Sequence, residues 1–282
     1  MIPTAFEYQR ATSLDDALKK IAAGGGAAKI LAGGHSLIPA MKLRLAAPGT
    51  LVDIARIPEL AGIRENGGKI EIGAATTHHV VATSALLKDT CPVISDAAAT
   101  IGDPQVRNRG TIGGSIAHAD PTADMPAALV ALEADIHLRS AAGARTVKAS
   151  SFFQDLFTVD LQPDEIITAV SFAPAKAGAY VKLYQKASHF AVVAVAAVLE
   201  ARGGKIASAR LAVTGAATHA MRLTKAEQAL AGQSKDGVEK ATADAGADLD
   251  SVNADIHASA EYRRAMVGVF ARRAVLAALA RA

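Results

Sequence analysis

Two short stretches of the chain concentrate groups suited to holding an anion. In "LAGGHSL", Leu31 to Leu37, an apolar run ends in Gly33 and Gly34, followed by His35 and Ser36. In "TIGGS", Thr111 to Ser115, Gly113 and Gly114 precede Ser115, and a loop carrying Asp120 and Asp124 follows. Glycine lacks a Cβ, so its backbone can take positive φ and bring peptide N–H groups against a ligand. Consecutive N–H groups in such a turn form a concave anion-binding nest, to which the Ser36 and Ser115 hydroxyls would add donors. Two nests could grip the two phosphates of a dinucleotide without a lysine. Two ordinary tight turns are the alternative, because glycine occurs 23 times in the chain. The shared apolar-Gly-Gly-polar pattern favours a common role. Neither stretch fits a P-loop or a Rossmann fingerprint.

Other reactive side chains point less far. His78 and His79 are adjacent and so point apart, which suits a helix-opening surface pair better than one metal ion. No C-x-x-C or H-E-x-x-H motif accompanies them. His118 stands just before Asp120. Asp120 and Asp124 beside Pro121 suit helix capping and ligand hydroxyls rather than a catalytic carboxylate pair. Arg107 and Arg109 suit a phosphate, a partner or plain solvent equally well. No Ser-His-Asp arrangement stands out, and no side chain is assigned a catalytic role.

The elements that must position these groups alternate in type. Residues up to about 55 read as strand, helix, strand. Ser13 is the helix cap, Leu14, Ala17, Leu18 and Ile21 are the apolar face, and Gly24 is the stop. "AKILA" and "TLVDI" are short buried strands. "LAGIRENGGKIEIGA" reads as two strands joined at Asn66 and Gly67, and "TTHHVVATSALLKD" as a helix capped by Thr76 or Thr77. "PVISDAAATIG" and "TADMPAALVALEA" read as helices, "DIHLRSAAGARTVKA" as a hairpin and "DEIITAVSFA" as the closing strand. Pro and Gly in "FAPAKAGAY" mark a boundary near residue 175. Three strands follow, with a tight turn at Gly203 and Gly204, then helices from Leu223 onward. The last helix carries an apolar stripe at Met266, Val269, Phe270, Val275, Leu276 and Leu279, which reads as core.

Composition narrows the classes. With 282 residues, 51% hydrophobic and 20% charged, the chain is globular and large enough for two domains. A net charge of +3 without a basic tract gives no nucleic-acid footprint. No apolar run reaches the ~18 residues of a membrane span, so no direct membrane insertion is expected. The start lacks the pattern of a secretory signal, so a cytoplasmic location is expected. Cys91, the single cysteine, excludes an internal disulfide and a four-thiolate iron–sulfur cluster held by this chain alone.

"AGGHSLIPAMKLRLA" together with "RNRGTIGGSIAHADPTADMPAALVAL" resembles the FAD-binding medium subunit of the molybdenum hydroxylases, the carbon-monoxide dehydrogenase and xanthine dehydrogenase type, over nearly the whole chain. The resemblance implies an α+β fold. A two-subdomain FAD-binding part of the vanillyl-alcohol-oxidase (PCMH-like) kind spans 1–175, with subdomains of about 1–55 and 56–175. A C-terminal domain, 176–282, carries a three-stranded antiparallel sheet and a helical bundle. The resemblance further implies diphosphate contacts from Ala32, Gly33, Gly34, His35, Ser36 and Leu37, and from Thr111, Ile112, Gly113, Gly114 and Ser115. Asp124 would meet ribityl or ribose hydroxyls, Ile101 and Ile167 would pack near flavin or adenine, and Lys186 would stand near the isoalloxazine to stabilise its reduced anionic form. Ser115 departs from the Asn of many relatives but keeps a donor.

Implied partners are a large subunit with the molybdenum cofactor and a small subunit with two [2Fe–2S] clusters, as a dimer of heterotrimers. Electrons would run from molybdenum through the clusters to FAD and on to a quinone, cytochrome, NAD⁺ or oxygen. The rival is a stand-alone flavin oxidase of the vanillyl-alcohol-oxidase type, in which His35 could attach FAD covalently. A non-enzymatic scaffold whose nests hold another anion is the third possibility.

Overall fold

The computed structural model describes residues 1–282 throughout. The N-terminal unit is a three-stranded parallel sheet in the order β1 (Glu7–Arg10), β3 (Thr50–Asp53), β2 (Ala28–Leu31). Parallel neighbours need crossovers, here α1 (Leu14–Gly24) after β1 and α2 (Leu37–Lys42) after β2. Ser13 caps α1 as its position predicts, accepting from the Asp16 N–H at 3.1 Å. Ala17, Leu18 and Ile21 then face a small core with Val52, Ile54 and Ile57. The first glycine stretch is the link between β2 and α2.

The second unit is a five-stranded antiparallel sheet, β4 (Ile63–Asn66), β5 (Lys69–Gly73), β10 (Ile166–Phe172), β6 (Asp135–Ser140) and β7 (Gly143–Lys148), in that order. The segment read as closing this region, β10, lies at the sheet's centre. The turn between β4 and β5 is made by Gly67 and Gly68, both at positive φ, one place beyond the expected pair. Between β5 and β6 run α3 (His78–Thr83), α4 (Ala85–Thr90), α5 (Pro92–Ala99), α6 (Pro104–Arg109), α7 (Ile112–His118) and α8 (Asp124–Ala131). The one helix expected from "TTHHVVATSALLKD" is two, because Ser84 leaves helical ψ and caps α4 through the Leu87 N–H at 3.3 Å. Of the two candidate caps, Thr77 is the one used on α3. A short α9 (Ala149–Phe152) and the hairpin β8 (Phe153–Asp155) and β9 (Thr158–Val159) precede β10.

The C-terminal sheet runs β11 (Gly178–Tyr184), β12 (Ala191–Arg202), β13 (Lys205–Thr214) and β14 (Met221–Arg222), all antiparallel. It has the three expected long strands plus a two-residue edge. The apolar run of β12 is buried on both faces. Ala194, Ala196 and Val198 join the core of the five-stranded unit, while Val193, Val195, Ala197 and Leu199 join a second core under α10 (Thr224–Leu230), α11 (Val238–Thr242) and α12 (Ala260–Leu279). Period-two alternation thus divides one strand between two cores.

The stripe expected on α12 is only partly the buried face. Phe270 and Val275 are core, but Met266, Val269, Leu276 and Leu279 are its margin. Small residues, Gly268, Ala271, Ala274 and Ala278, share the buried face with Val267 and let the helix lie close: a Cβ on Gly268 would stand 2.5 Å from the Ala243 carbonyl oxygen. Arg263 is also buried there, donating to the Val192 and Gly215 carbonyls at 2.7 and 3.0 Å and to Asp255 at 2.6 Å.

Candidate functional site

The two glycine stretches meet. A Cβ built on Gly33 would stand 2.1 Å from the Arg109 carbonyl oxygen and 2.8 Å from the Gly110 Cα. The β2–α2 link therefore crosses the approach to α7 backbone against backbone, a contact only glycine permits. From there on the two stretches differ.

In the first, Gly34 takes φ +78° and the Ile38 N–H closes onto the Gly34 carbonyl at 3.0 Å. No main-chain N–H from Ala32 to Leu37 has an acceptor within the chain. Ser36 occupies the cap position of α2, yet its hydroxyl makes no capping bond. His35 is exposed, its Nδ1 3.4 Å from the Gly33 carbonyl oxygen. Unpaired donors in a row are the chemistry of an anion site.

The second stretch is not a nest. Thr111 to Ser115 form the cap and first turn of α7, and their N–H groups are largely used. Ile112 N–H donates to the Thr76 carbonyl at 3.0 Å, Gly113 N–H to the Ala74 carbonyl at 2.8 Å, and Gly114 N–H to Thr111 Oγ1 at 3.1 Å. Gly113 is glycine because a Cβ would meet that of Ala74 at 2.6 Å. The pair serves close packing of a helix start against the β5–α3 link, and what it leaves available is the Ser115 hydroxyl, half-buried and unbonded within the chain.

His78 lies under this crossing, and the surface reading of the His78–His79 pair holds only for His79. His78 is 4% exposed. Its N–H donates to the Gly110 carbonyl at 2.9 Å, and its Nδ1 has no partner. Burial, with a smaller push from His35, takes its pKa down to about 4, so the ring is neutral at physiological pH.

The remaining expected residues gather around the start of α8. Asp124 opens that helix, and both of its oxygens are engaged: the Tyr180 hydroxyl donates to Oδ1 at 2.5 Å and Lys182 Nζ to Oδ2 at 2.8 Å. Burial pushes the Asp124 carboxyl up and the Lys182 ammonium down, and each charge opposes the other's shift. Asp124 does not cap α8; Asp120 instead accepts from the Thr122 N–H at 2.8 Å. Lys182 also donates to the Thr100 carbonyl at 3.1 Å, next to Ile101. Arg107, left open by the sequence, donates to the Ile101 and Gly102 carbonyls at 2.9 and 3.1 Å, whereas the Arg109 side chain is exposed. Ile101 is half-buried, and Ile167 on β10 shares a core with Ile112 and Ile116 of α7. Lys186 is exposed in the β11–β12 turn.

Tyr180 and Lys182 were missed as partners of Asp124, though "YVKLY" carries a signal: alternate residues of a strand share a face. A surface cavity of about 500 Å³ is lined by none of these groups; Lys88, Asp96 and Arg281 border it.

Two family models cover the chain. "FAD binding domain in molybdopterin dehydrogenase" matches residues 4–175 and "CO dehydrogenase flavoprotein C-terminal domain" residues 178–278. The carbon monoxide dehydrogenase medium chain of Hydrogenophaga pseudoflava is 41% identical, covering 100% of this chain and 99% of that protein. Subunit alpha of the 6-hydroxypseudooxynicotine dehydrogenase complex of Paenarthrobacter nicotinovorans is 37% identical, covering 100% and 97%. The solved structure of reconstituted CO dehydrogenase from Oligotropha carboxidovorans superposes with a TM-score of 0.94 at 41% identity over 100% of both chains. Full-length matches to subunits of larger dehydrogenases favour a subunit over a stand-alone flavin oxidase. With both domains matched in order, this chain belongs to the medium, FAD-binding subunits of the molybdenum hydroxylase family.

Proposed function

We propose that the chain holds FAD where the Ala32–Leu37 loop crosses the start of α7, and that it works as the electron-transfer subunit of a molybdenum-containing hydroxylase or dehydrogenase. The observation that carries this is the row of unpaired N–H groups from Ala32 to Leu37, pressed at Gly33 against the Arg109–Gly110 backbone that leads into the second stretch. A diphosphate fits such a row, since neutral donors hold it without a lysine, and the Ser36 and Ser115 hydroxyls extend it. Thr111, Ile112, Gly113 and Gly114 form the wall behind the phosphates. Ile101 and Ile167 supply apolar support, Lys186 a cation for the flavin end, and Asp124 fixes the start of α8.

Bound FAD supplies the redox chemistry, taking electrons from [2Fe–2S] clusters of a small partner subunit and passing them to an external acceptor. Substrate oxidation belongs to a large molybdenum subunit, and no general base is needed here. The single cysteine accords with clusters housed on another chain. We place the chain in a dimer of heterotrimers in the cytoplasm, with residues 1–175 as the FAD-binding domain, divided near residue 55, and 176–282 as the C-terminal domain. The substrate class is not written in this chain: relatives named for carbon monoxide and for 6-hydroxypseudooxynicotine match it over almost equal spans.

The test is an absorbance spectrum of the protein purified with its partners, repeated on the supernatant after acid precipitation. Flavin bands released by acid, with molybdenum and iron in the co-purifying subunits, are expected. A colourless protein that FAD cannot reconstitute contradicts the proposal.

A further inference from the structure

The β11–β12 turn belongs to the C-terminal sheet, yet it is tied to the other unit at one point. His189 Nδ1 stands 2.9 Å from the Gly102 carbonyl oxygen. A carbonyl only accepts, so Nδ1 carries the proton and the tautomer is fixed. Gly102 is itself held: its carbonyl and that of Ile101 accept from Arg107, and the Thr100 carbonyl accepts from Lys182. Three successive carbonyls, Thr100 to Gly102, are thus each bonded to a basic side chain, two of them reaching across from the C-terminal sheet.

The turn is also built stiffly within itself. The Gln185 side-chain oxygen accepts from the Ala187 and Ser188 N–H groups at 2.7 and 2.6 Å, the His189 N–H bonds the Gln185 carbonyl at 2.8 Å, and the Gln185 N–H bonds the Phe190 carbonyl at 2.9 Å. His189 takes φ +60°, a backbone that costs a residue with a side chain energy and persists where surroundings enforce it. Between its anchoring strands, the His189 bond is the side-chain tether of this stiff turn to the other unit. Lys186 lies inside the turn.

We propose that His189 is a positioning residue of the flavin site: its Nδ1–H···O=C bond to Gly102 latches the β11–β12 turn to the Thr100–Gly102 segment and thereby sets where the Lys186 ammonium stands. The part of this inference that concerns flavin rests on the function proposed above; the latch itself does not. Nothing in a strand-turn-strand pattern requires histidine here, whereas a donor that also tolerates positive φ is needed by the observed geometry. Asn meets both conditions, and Gly meets only the second.

The experiment uses the full chain with His189→Asn, His189→Gly and His189→Ala. Tryptic cleavage after Lys186, followed by mass spectrometry without added FAD, reports the latch. Loss of one hydrogen bond should speed cleavage about three- to tenfold in H189G and H189A, with H189N near the wild-type rate. The flavin midpoint potential of the FAD-loaded chain reports the position of Lys186. It should fall in K186M, fall alike in H189G, fall no further in the double variant, and hold in H189N. A folded donorless variant with unchanged cleavage overturns the latch; changed cleavage with an unmoved potential overturns its role toward flavin. If neither donorless variant folds, the ring ¹⁵N–¹H spectrum of His189 in the wild-type chain decides: a protonated, slowly exchanging Nδ1 supports the latch, and a bare or rapidly exchanging Nδ1 overturns it. Failure of the wild-type chain to take up FAD overturns the proposed function instead, and the cleavage series still judges the latch.

Discussion

Gly33 and Ser36 show at the residue scale how a short motif holds two kinds of information. Gly33 is a packing requirement, since its absent Cβ lets Arg109 and Gly110 approach. Ser36 and the neighbouring N–H groups, unpaired within the chain, serve binding in the proposed site. The two should separate by substitution. Gly33→Val forces the loops apart and should lose both FAD retention and thermal stability. Ser36→Ala should keep its melting temperature and weaken FAD binding about three- to tenfold, as expected for one hydrogen bond and readable by fluorescence titration. His78 makes a pH statement. Its folded pKa is about 4 against 6.5 for the free side chain. Above pH 6.5 the ring is neutral in both states; as pH falls from 6.5 toward 4, only the unfolded chain takes the proton, and stability drops by about 3 kcal/mol. Urea unfolding across that range should show the loss, and His78→Phe should flatten it; an unchanged slope in that variant would locate the acid sensitivity elsewhere.

Single elements were legible where one local rule decided them. Ser13, the α1 face and the Gly203–Gly204 turn follow from capping, helical spacing and turn chemistry, and all three appear where expected. The role of the second glycine stretch did not, because the acceptors that consume the Ile112 and Gly113 N–H groups, the Thr76 and Ala74 carbonyls, come from a distant segment. A local pattern cannot reveal whether a donor is already taken. The same holds for His78, whose burial comes from the Gly110 crossing, and for Asp124, whose partners arrive from β11. That last contact yields a prediction for α8 and β11 together. Lys182 has a side chain 2% exposed and Asp124 one 6% exposed, so removing one partner strands the other's charge. Lys182→Met should cost about 3–5 kcal/mol, while K182M combined with Asp124→Leu should recover much of it. Chemical unfolding of the single and double variants checks this, and a double variant no better than the single would show that the pair contributes beyond cancelling its own desolvation.

The whole molecule is organised by shared cores more than by its boundary near residue 175. The resemblance carried the fold class, and element order the change of style between the halves. They were silent on how the halves join, because β12 reads simply as apolar until its partners are known. In the fold, Tyr180, Ala194, Ala196 and Val198 are packed in one cluster with Ile94, Leu129 and Met125, and Arg281 on the far end of the chain pairs with Asp96 of α5 at 2.6 Å. Cooperativity should therefore span the boundary. Calorimetry and circular dichroism should give one coincident unfolding transition for the full chain; two resolved transitions would mean that the shared core contributes little.

Capture of the FAD diphosphate by the Ala32–Leu37 backbone, as proposed, can be watched directly. Amide ¹H–¹⁵N shifts of the full chain would be followed as FAD is added. The amides of Ala32 to Leu37 should move most, while those of Ile112 and Gly113, already bonded to protein carbonyls, should move little. A chain that turns yellow with the Ala32–Leu37 amides unmoved would mean that the diphosphate is held elsewhere.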